Sequence, residues 1–425
     1  MSNMNQTKET DRGGALRRHV ARSTARSTAH STARSTARAV ALALAIASFA
    51  FAQPDAHAGN REQAKRMFDR LTGTPPSDAK LTELTNMMTG GSTPQQVALF
   101  IMDKDQAHSS PFYSVTLKNF ATPWTNRDQT VFAPLNDYTA TVIGVVRDDG
   151  DFRDILSEDV LYVGEGVTPA YSTTSNAHYD TLEGSNMDLR TVLSKKTQSS
   201  LNGLPPAATA GVITSRAAAE AFFIDGTNRA MFRFTLLNHL CRDMEQVHDT
   251  TRPPDRIRQD VTRSPGGDSS VFLNNCIGCH SGMDPLAQAF AYYDFDETQG
   301  KLVYTQGAVQ PKYLINSDNF KPGYVTPDDH WDNRWRLPGH NTPIGWSSSL
   351  PGTGNGAKSL GQELAGSDAF AECQVQKVFR TVCFRSPSDT ADIGKVKDIT
   401  AAFRGSGYKL KTVFAETAAY CAAGQ

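Results

Sequence analysis

The chain has 425 residues, with 43 Lys and Arg against 44 Asp and Glu, and it is 39% hydrophobic and 20% charged. This excludes a fibrous or wholly disordered chain, and also a protein so small that only a metal or crosslinks could hold it together. Residues 1–58 carry eight basic and three acidic groups, leaving 35 basic and 41 acidic groups beyond, so the body lacks the basic footprint a nucleic-acid partner requires.

In residues 1–58, Arg17, Arg18, Arg22, Arg26, Arg34 and Arg38 precede an apolar run from Ala39 to Ala52. That run is short for a membrane-spanning helix and fits the core of a secretory signal peptide. Small-x-small sites follow at Ala50-Phe-Ala52 and Ala56-His-Ala58, and we place cleavage after Ala58. The expected location is therefore the periplasm or the extracellular space, with no transmembrane span after cleavage. A retained anchor and a cytoplasmic chain are the alternatives. The Ser-Thr-Ala-Arg/His repeat from Ser23 to Arg38 is low-complexity and needs no folded role.

Residues 59–125 read as an N-terminal helical region. Ala64, Met67, Phe68 and Leu71 share one helical face, Gly73 to Pro76 end that helix, and Ser77 and Thr93-Pro94 offer starts for the next two. Met67, Met87, Met88 and Met102 fall on apolar faces and read as core. Residues 126–254 form a mixed middle region. Its stretches TATVIGVV and DVLYV fit helix or strand equally, 165–210 reads as a long surface excursion, and two helices from Ser215 break near Asp225-Gly226. Residues 255–357 are loop-rich, and 358–425 return to helical period as three or four packed helices. The fold class is mainly α, with helical N- and C-terminal regions flanking a loop-rich segment.

That segment holds the motif that carries chemistry. Cys276-Ile-Gly-Cys279-His280 is a complete C-x-x-C-H haem-attachment signature. Two thiols one helical turn apart can reach the two vinyl groups of one haem, and the next residue sets an imidazole over the iron. Cys276, Cys279 and His280 are thus the expected cofactor-binding residues for one covalent haem c, with His280 the proximal ligand. An export signal agrees with attachment of this kind. Competing readings are a thioredoxin-like dithiol, which lacks its preceding strand, a zinc site completed by Cys241 or His248, and a plain disulfide.

The chain resembles the large exported proteins with an embedded cytochrome c signature that are abundant in planctomycetes and occur in some proteobacteria. The resemblance rests on Cys276, Cys279, His280, Met283, Asp284, Pro285 and Leu286, with Tyr293-Asp294 at a Phe-Asp position. The sequence departs at Ala287, where the family has Gly, and at Ala291, where it has Glu. FDRLTGTPPS (68–77), LLNHLCRD (236–243), LGQELAGSDAFAECQVQKVFR (360–380) and AAFRGSGYKLKTVF (401–414) extend it over most of the mature chain. It implies a haem and export, without naming a reaction.

No Met follows Met283, so the sixth iron position has no ordinary downstream sulfur. His340 is the preferred candidate, beside Trp331, Trp335 and Trp346, which could wall a haem edge. Met244 or His248, His330, and an open position are the alternatives. Two strong ligands would make a one-electron carrier working with a redox partner protein. An open position would suit a haem enzyme for peroxide or small-ligand chemistry, and a haem-bearing structural or binding module is a third reading. The other four cysteines allow three pairings; we favour Cys241–Cys373 with Cys383–Cys421, against four buried thiols.

Overall fold

The structure is a computed structural model that describes residues 59–338 and 344–424. The expected signal peptide, residues 1–58, and His340 lie outside the described residues. Helix α1 (Asn60–Thr72) buries Ala64, Met67, Phe68 and Leu71 and ends where Gly73 takes a φ of 69°, a left-handed turn that glycine adopts without a Cβ penalty. The Ser77 side chain accepts from Lys80 N to start α2 (Asp78–Thr89). Thr93 and Gln96 form a capping box at α3 (Pro94–Ile101). A π-turn at Phe112–Thr116 runs into α4 (Leu117–Ala121). Met67, Met88 and Met102 are buried, and Met87 packs partly buried against the same core.

The ambiguous stretch TATVIGVV lies in α5 (Asp137–Arg147), every residue of which is buried. Burial on all sides erases the helical period, which is why pattern alone could not separate helix from strand. The other stretch gives β1 (Leu161–Gly164). After α6 (Ala177–Gly184), β1 pairs antiparallel with β2 (Leu193–Lys196), with Leu161 opposite Lys196. This corrects the surface excursion expected over 165–210. Polar composition there hides a buried set, His178, Tyr179, Leu182, Leu189 and Leu193, that folds back on α5 and β1.

The two helices after Ser215 are α7 (Arg216–Phe222) and α8 (Arg229–Leu240), separated by positive φ at Asp225, Gly226 and Asn228. Buried Asp137 accepts from Arg216 N at 2.7 Å and Ala217 N at 3.0 Å, so α5 caps α7. Helix α9 (Ile277–Ala287) follows a loop-rich approach. Two further two-stranded pairs, β3 (Tyr293–Asp296) with β4 (Lys301–Tyr304) and β5 (His330–Asp332) with β6 (Thr353–Asn355), are both antiparallel. Helices α10 (Gly356–Ala365), α11 (Asp368–Cys383), α12 (Thr390–Gly405) and α13 (Leu410–Ala422) complete the chain.

The terminal helical regions meet. Helix α13 packs on α1, α3, α11 and α12, and Phe414 lies edge-on to Phe112 at 5.1 Å and Phe120 at 5.6 Å. Each amphipathic set thereby buries its apolar face against the other, and α11 carries the contact on to α8. Both favoured disulfides are present, Cys241–Cys373 and Cys383–Cys421, with Cα separations of 5.2 and 5.6 Å. Among the described residues no helix is long and apolar enough to cross a membrane.

The Cys241–Cys373 bridge closes 132 residues and Cys383–Cys421 closes 38. Loop-closure entropy predicts about 5 kcal/mol for the first and about 4 for the second as upper values. Chemical denaturation of the Cys241→Ser/Cys373→Ser variant should show the larger loss, and a smaller loss than for Cys383→Ser/Cys421→Ser would contradict this ordering.

Buried Asp392 accepts from Arg385 Nη2 at 2.9 Å, Ser388 N at 3.0 Å and the Tyr420 hydroxyl at 3.0 Å. The Arg385 hydrogen bond leads in holding its carboxyl below the ordinary 3.8. Its stabilisation is therefore full above that unfolded value and is lost as pH falls through the depressed folded one. Asp392→Asn should lower the melting temperature at neutral pH and then lose less on acidification below 3.8 than the parent; an unchanged acid limb would refute the assignment.

Candidate functional site

Helix α9 is continuous with a start capped by Asp268, whose carboxylate accepts from Ser270 N at 2.8 Å, and with a π-turn at Phe272–Cys276. The π-turn adds a residue to the helix and ends at the first thiol, Cys276, a feature common at functional sites. Met283 is a facial neighbour of both Cys279, four residues before it, and His280, three before it. The three line a groove of about 510 Å³ together with Arg229, Ala230 and Arg233 of α8, the turn at Asp243–Glu245, and Asn275. Cys276, one turn earlier, is partly buried against Ile257, Val261 and Phe272.

Cys276 and Cys279 are free thiols, while the other four cysteines are paired. Cys279 lies against the Met244 carbonyl, with Sγ at 3.6 Å from its oxygen. Burial, reinforced by Cys276, Glu245 and Asp243, pushes its thiol pKa up, so it is held as neutral SH.

His280 is half-buried, and its Nδ1 lies 3.1 Å from Oδ1 of Asp284, one turn along the same helix. A carboxylate only accepts, so Nδ1 is the donor in this contact, and in the neutral tautomer that fits it the lone pair is on Nε2. Asp284 itself is fully buried and grips Arg229 in a fork, Nε to Oδ1 at 2.7 Å and Nη2 to Oδ2 at 3.0 Å. The same guanidinium holds Asp260 with 2.6 and 2.9 Å contacts. Buried Arg258 stands 3.9 Å from Asp284 and 3.8 Å from Asp260, donates to Thr227 Oγ1 at 2.7 Å, and lies over the Tyr313 ring. Burial alone would push the Asp284 carboxyl up, but Arg229, His280 and Arg258 outweigh it and hold it well below the usual range.

The back of α9 is made of glycine. Gly278 and Gly282 lie two residues either side of His280, roughly 200° around the helix. A Cβ on Gly278 would stand 2.3 Å from His248 Nε2, and one on Gly282 would stand 2.3 Å from Trp335 Nε1. The Gly278 carbonyl accepts from Asp249 N at 3.0 Å. His248 therefore touches α9 on the side away from the groove. Trp335 is buried there too, stacked on Trp346 at 6.3 Å, and Trp331 is buried with its indole donating to Ser359. Trp331 and Trp335 thus take the core-packing alternative to a haem-edge wall, and Trp335 braces the rear of the helix because Gly282 lets its ring approach the backbone.

Of the candidates for a sixth ligand, Met244 lines the groove. His330 is committed to β5, 3.2 Å from Thr353 Oγ1 and 3.6 Å from Asp332, and His340 is outside the described residues. The zinc alternative loses both proposed completing ligands, since Cys241 is in a disulfide and His248 faces the rear. No cluster of three or more His, Cys, Asp or Glu among the described residues is arranged to hold a metal ion. The donor set instead fits a c-type haem: two free thiols three residues apart and, next to the second, an imidazole that lines a groove.

Sequence reasoning singled out Cys276, Cys279 and His280. It noted Asp284 only as part of a resemblance, although the i,i+4 spacing from His280 was a readable signal. Arg229, Arg258 and Asp260 carried no local signal, since they meet α9 only through the fold. Compared with protein-family models, curated proteins and solved structures, the chain gives no match.

Gly282→Ala drives a methyl into a fully buried indole and should cost about 1–3 kcal/mol. Gly278→Ala meets the exposed His248 ring, which can swing away, and should cost less. Melting curves that reverse this order would show that the Trp335 contact does not position α9.

Proposed function

We propose that this chain is an exported, monohaem c-type cytochrome-like protein that transfers single electrons between redox partner proteins in the periplasm or outside the cell. The proposal includes the expected leader, the resemblance to exported proteins with embedded cytochrome c signatures, and an architecture in which the terminal helical regions hold the haem segment between them. The observation that carries it is that Cys276 and Cys279 are free thiols and that Cys279 and His280 line one groove, with His280 Nδ1 already engaged by Asp284.

Cys276 and Cys279 would hold the haem by adding each S–H across a vinyl double bond, sulfur to one carbon and hydrogen to the other, which needs no oxidant. The raised pKa of Cys279 keeps that proton in place. His280 would supply the proximal nitrogen, and Ala230, Met244 and Met283 would give apolar contact to the ring. When bound, the haem supplies a one-electron iron couple.

Protein matured with a periplasmic haem-attachment system should keep its haem stain after denaturing electrophoresis and gain the mass of one haem. Loss of all stain from a haem-loaded preparation would refute thioether attachment.

A second reading is favoured by the groove, which carries no imidazole besides His280 among its described lining residues: an open sixth position serving peroxide or small-ligand chemistry. Absorption spectra separate the cases. Met244 ligation gives a low-spin oxidised protein with a thioether charge-transfer band at the near-infrared edge, abolished by Met244→Ala. His340 ligation gives low spin without that band, and an open position gives high spin with rapid binding of carbon monoxide or cyanide. Low spin that survives both Met244→Ala and His340→Ala would exclude both residues as the ligand.

A further inference from the structure

We propose that Asp284 is the positioning residue of His280: its carboxylate accepts the Nδ1–H, presents Nε2 to the groove, and sets how strongly the imidazole donates electrons to a haem iron. The inference rests on the haem reading above and deepens it.

Three observations carry it. The two side chains are one helical turn apart on α9 and 3.1 Å apart, so the backbone itself fixes their meeting. Asp284 has no exposed side-chain surface, so water does not compete for the contact. It also accepts from the Arg258 backbone N–H and from Arg229, which is itself anchored by Asp260, so the carboxylate cannot rotate away from the ring. A carboxylate behind a metal-bound imidazole orients the ring and raises its basicity. Oxidised iron carries one more positive charge than reduced iron, so a stronger donor backed by a negative charge stabilises the oxidised state and lowers the reduction potential.

The surrounding charges predict the same direction. Arg229 and Arg258 are balanced by Asp260 and Asp284. Asp284→Asn removes the negative group nearest the ring and leaves two guanidiniums against one carboxylate. Both changes favour reduced iron.

The test has two readouts. In haem-free wild-type protein at alkaline pH, nitrogen NMR of the His280 ring should show the proton on Nδ1 and none on Nε2; the opposite tautomer overturns the proposal. In haem-loaded protein, Asp284→Asn should raise the midpoint potential by at least the equivalent of a tenfold change in equilibrium with a fixed redox mediator, about 59 mV for one electron. Asp284→Glu should return it toward the parent value. A folded Asp284→Asn protein with unchanged or lowered potential overturns the assignment, as does a shift that Glu fails to reverse at all. If Asp284→Asn does not fold, the wild-type tautomer decides. Wild-type protein that takes up no covalent haem overturns the haem reading and the electron-donating role with it, while the tautomer readout still separates that failure from a wrong placement of His280.

Discussion

The guanidinium of Arg229, forked onto Asp284 on one side and Asp260 on the other, joins three parts of the chain at one point. It belongs to the first turn of α8, Asp284 to the last turn of α9, and Asp260 to the loop between them. Removing one partner from such a buried arrangement costs about 3–5 kcal/mol, because the survivor is left charged and desolvated. The pairing is therefore a weak source of net stability but a strict determinant of geometry. It sets the distance between α8 and α9, and with it the width of the groove where Cys279, His280 and Met283 lie. It also locks the carboxylate that faces His280.

Helix α9 is held from the rear by a different force. Gly278 and Gly282 remove side-chain bulk, so His248 and Trp335 press on bare backbone, and close packing supplies dispersion contacts that a larger residue would forbid. Electrostatic clamping at one side and close apolar approach at the back leave the Cys279 and His280 face as the open one. A helix constrained in this way has little freedom to roll, and an axial ligand benefits from that, since rotation of α9 would carry His280 off the groove.

The body around α9 is tied together at longer range. Phe112, Phe120 and Phe414 bring the N-terminal helices onto α13, Cys241–Cys373 fastens the end of α8 to α11, and Cys383–Cys421 fastens α11 to α13. The end of α8 that carries Cys241 leads directly into the Asp243–Glu245 turn at the groove rim. The crosslink thus stands next to the site, and the distant terminal helices bear on its geometry through α11.

Several features were legible from sequence because they depend on neighbours along the chain. The caps at Ser77 and Thr93, the stop at Gly73, the break at Asp225-Gly226 and the tail helices follow from local backbone preference and apolar period. The C-x-x-C-H spacing likewise placed Cys276, Cys279 and His280 on one helix, and an even set of four other cysteines limited the pairings to three. What local pattern could not decide was anything set by surroundings. Helix α5 loses its period because it is buried on every side, and 165–210 looks superficial because few apolar residues, well placed, suffice to bury it. That Trp335 packs on the backbone of α9 at Gly282 was not readable either, because sequence carries no direction across space. Composition and spacing by themselves determined a mainly helical chain with one thiol–imidazole motif. Only the tertiary structure decided that His280 leans on a buried carboxylate, since Arg229 and Asp260, which hold that carboxylate, reach it through long-range packing rather than through position in the chain.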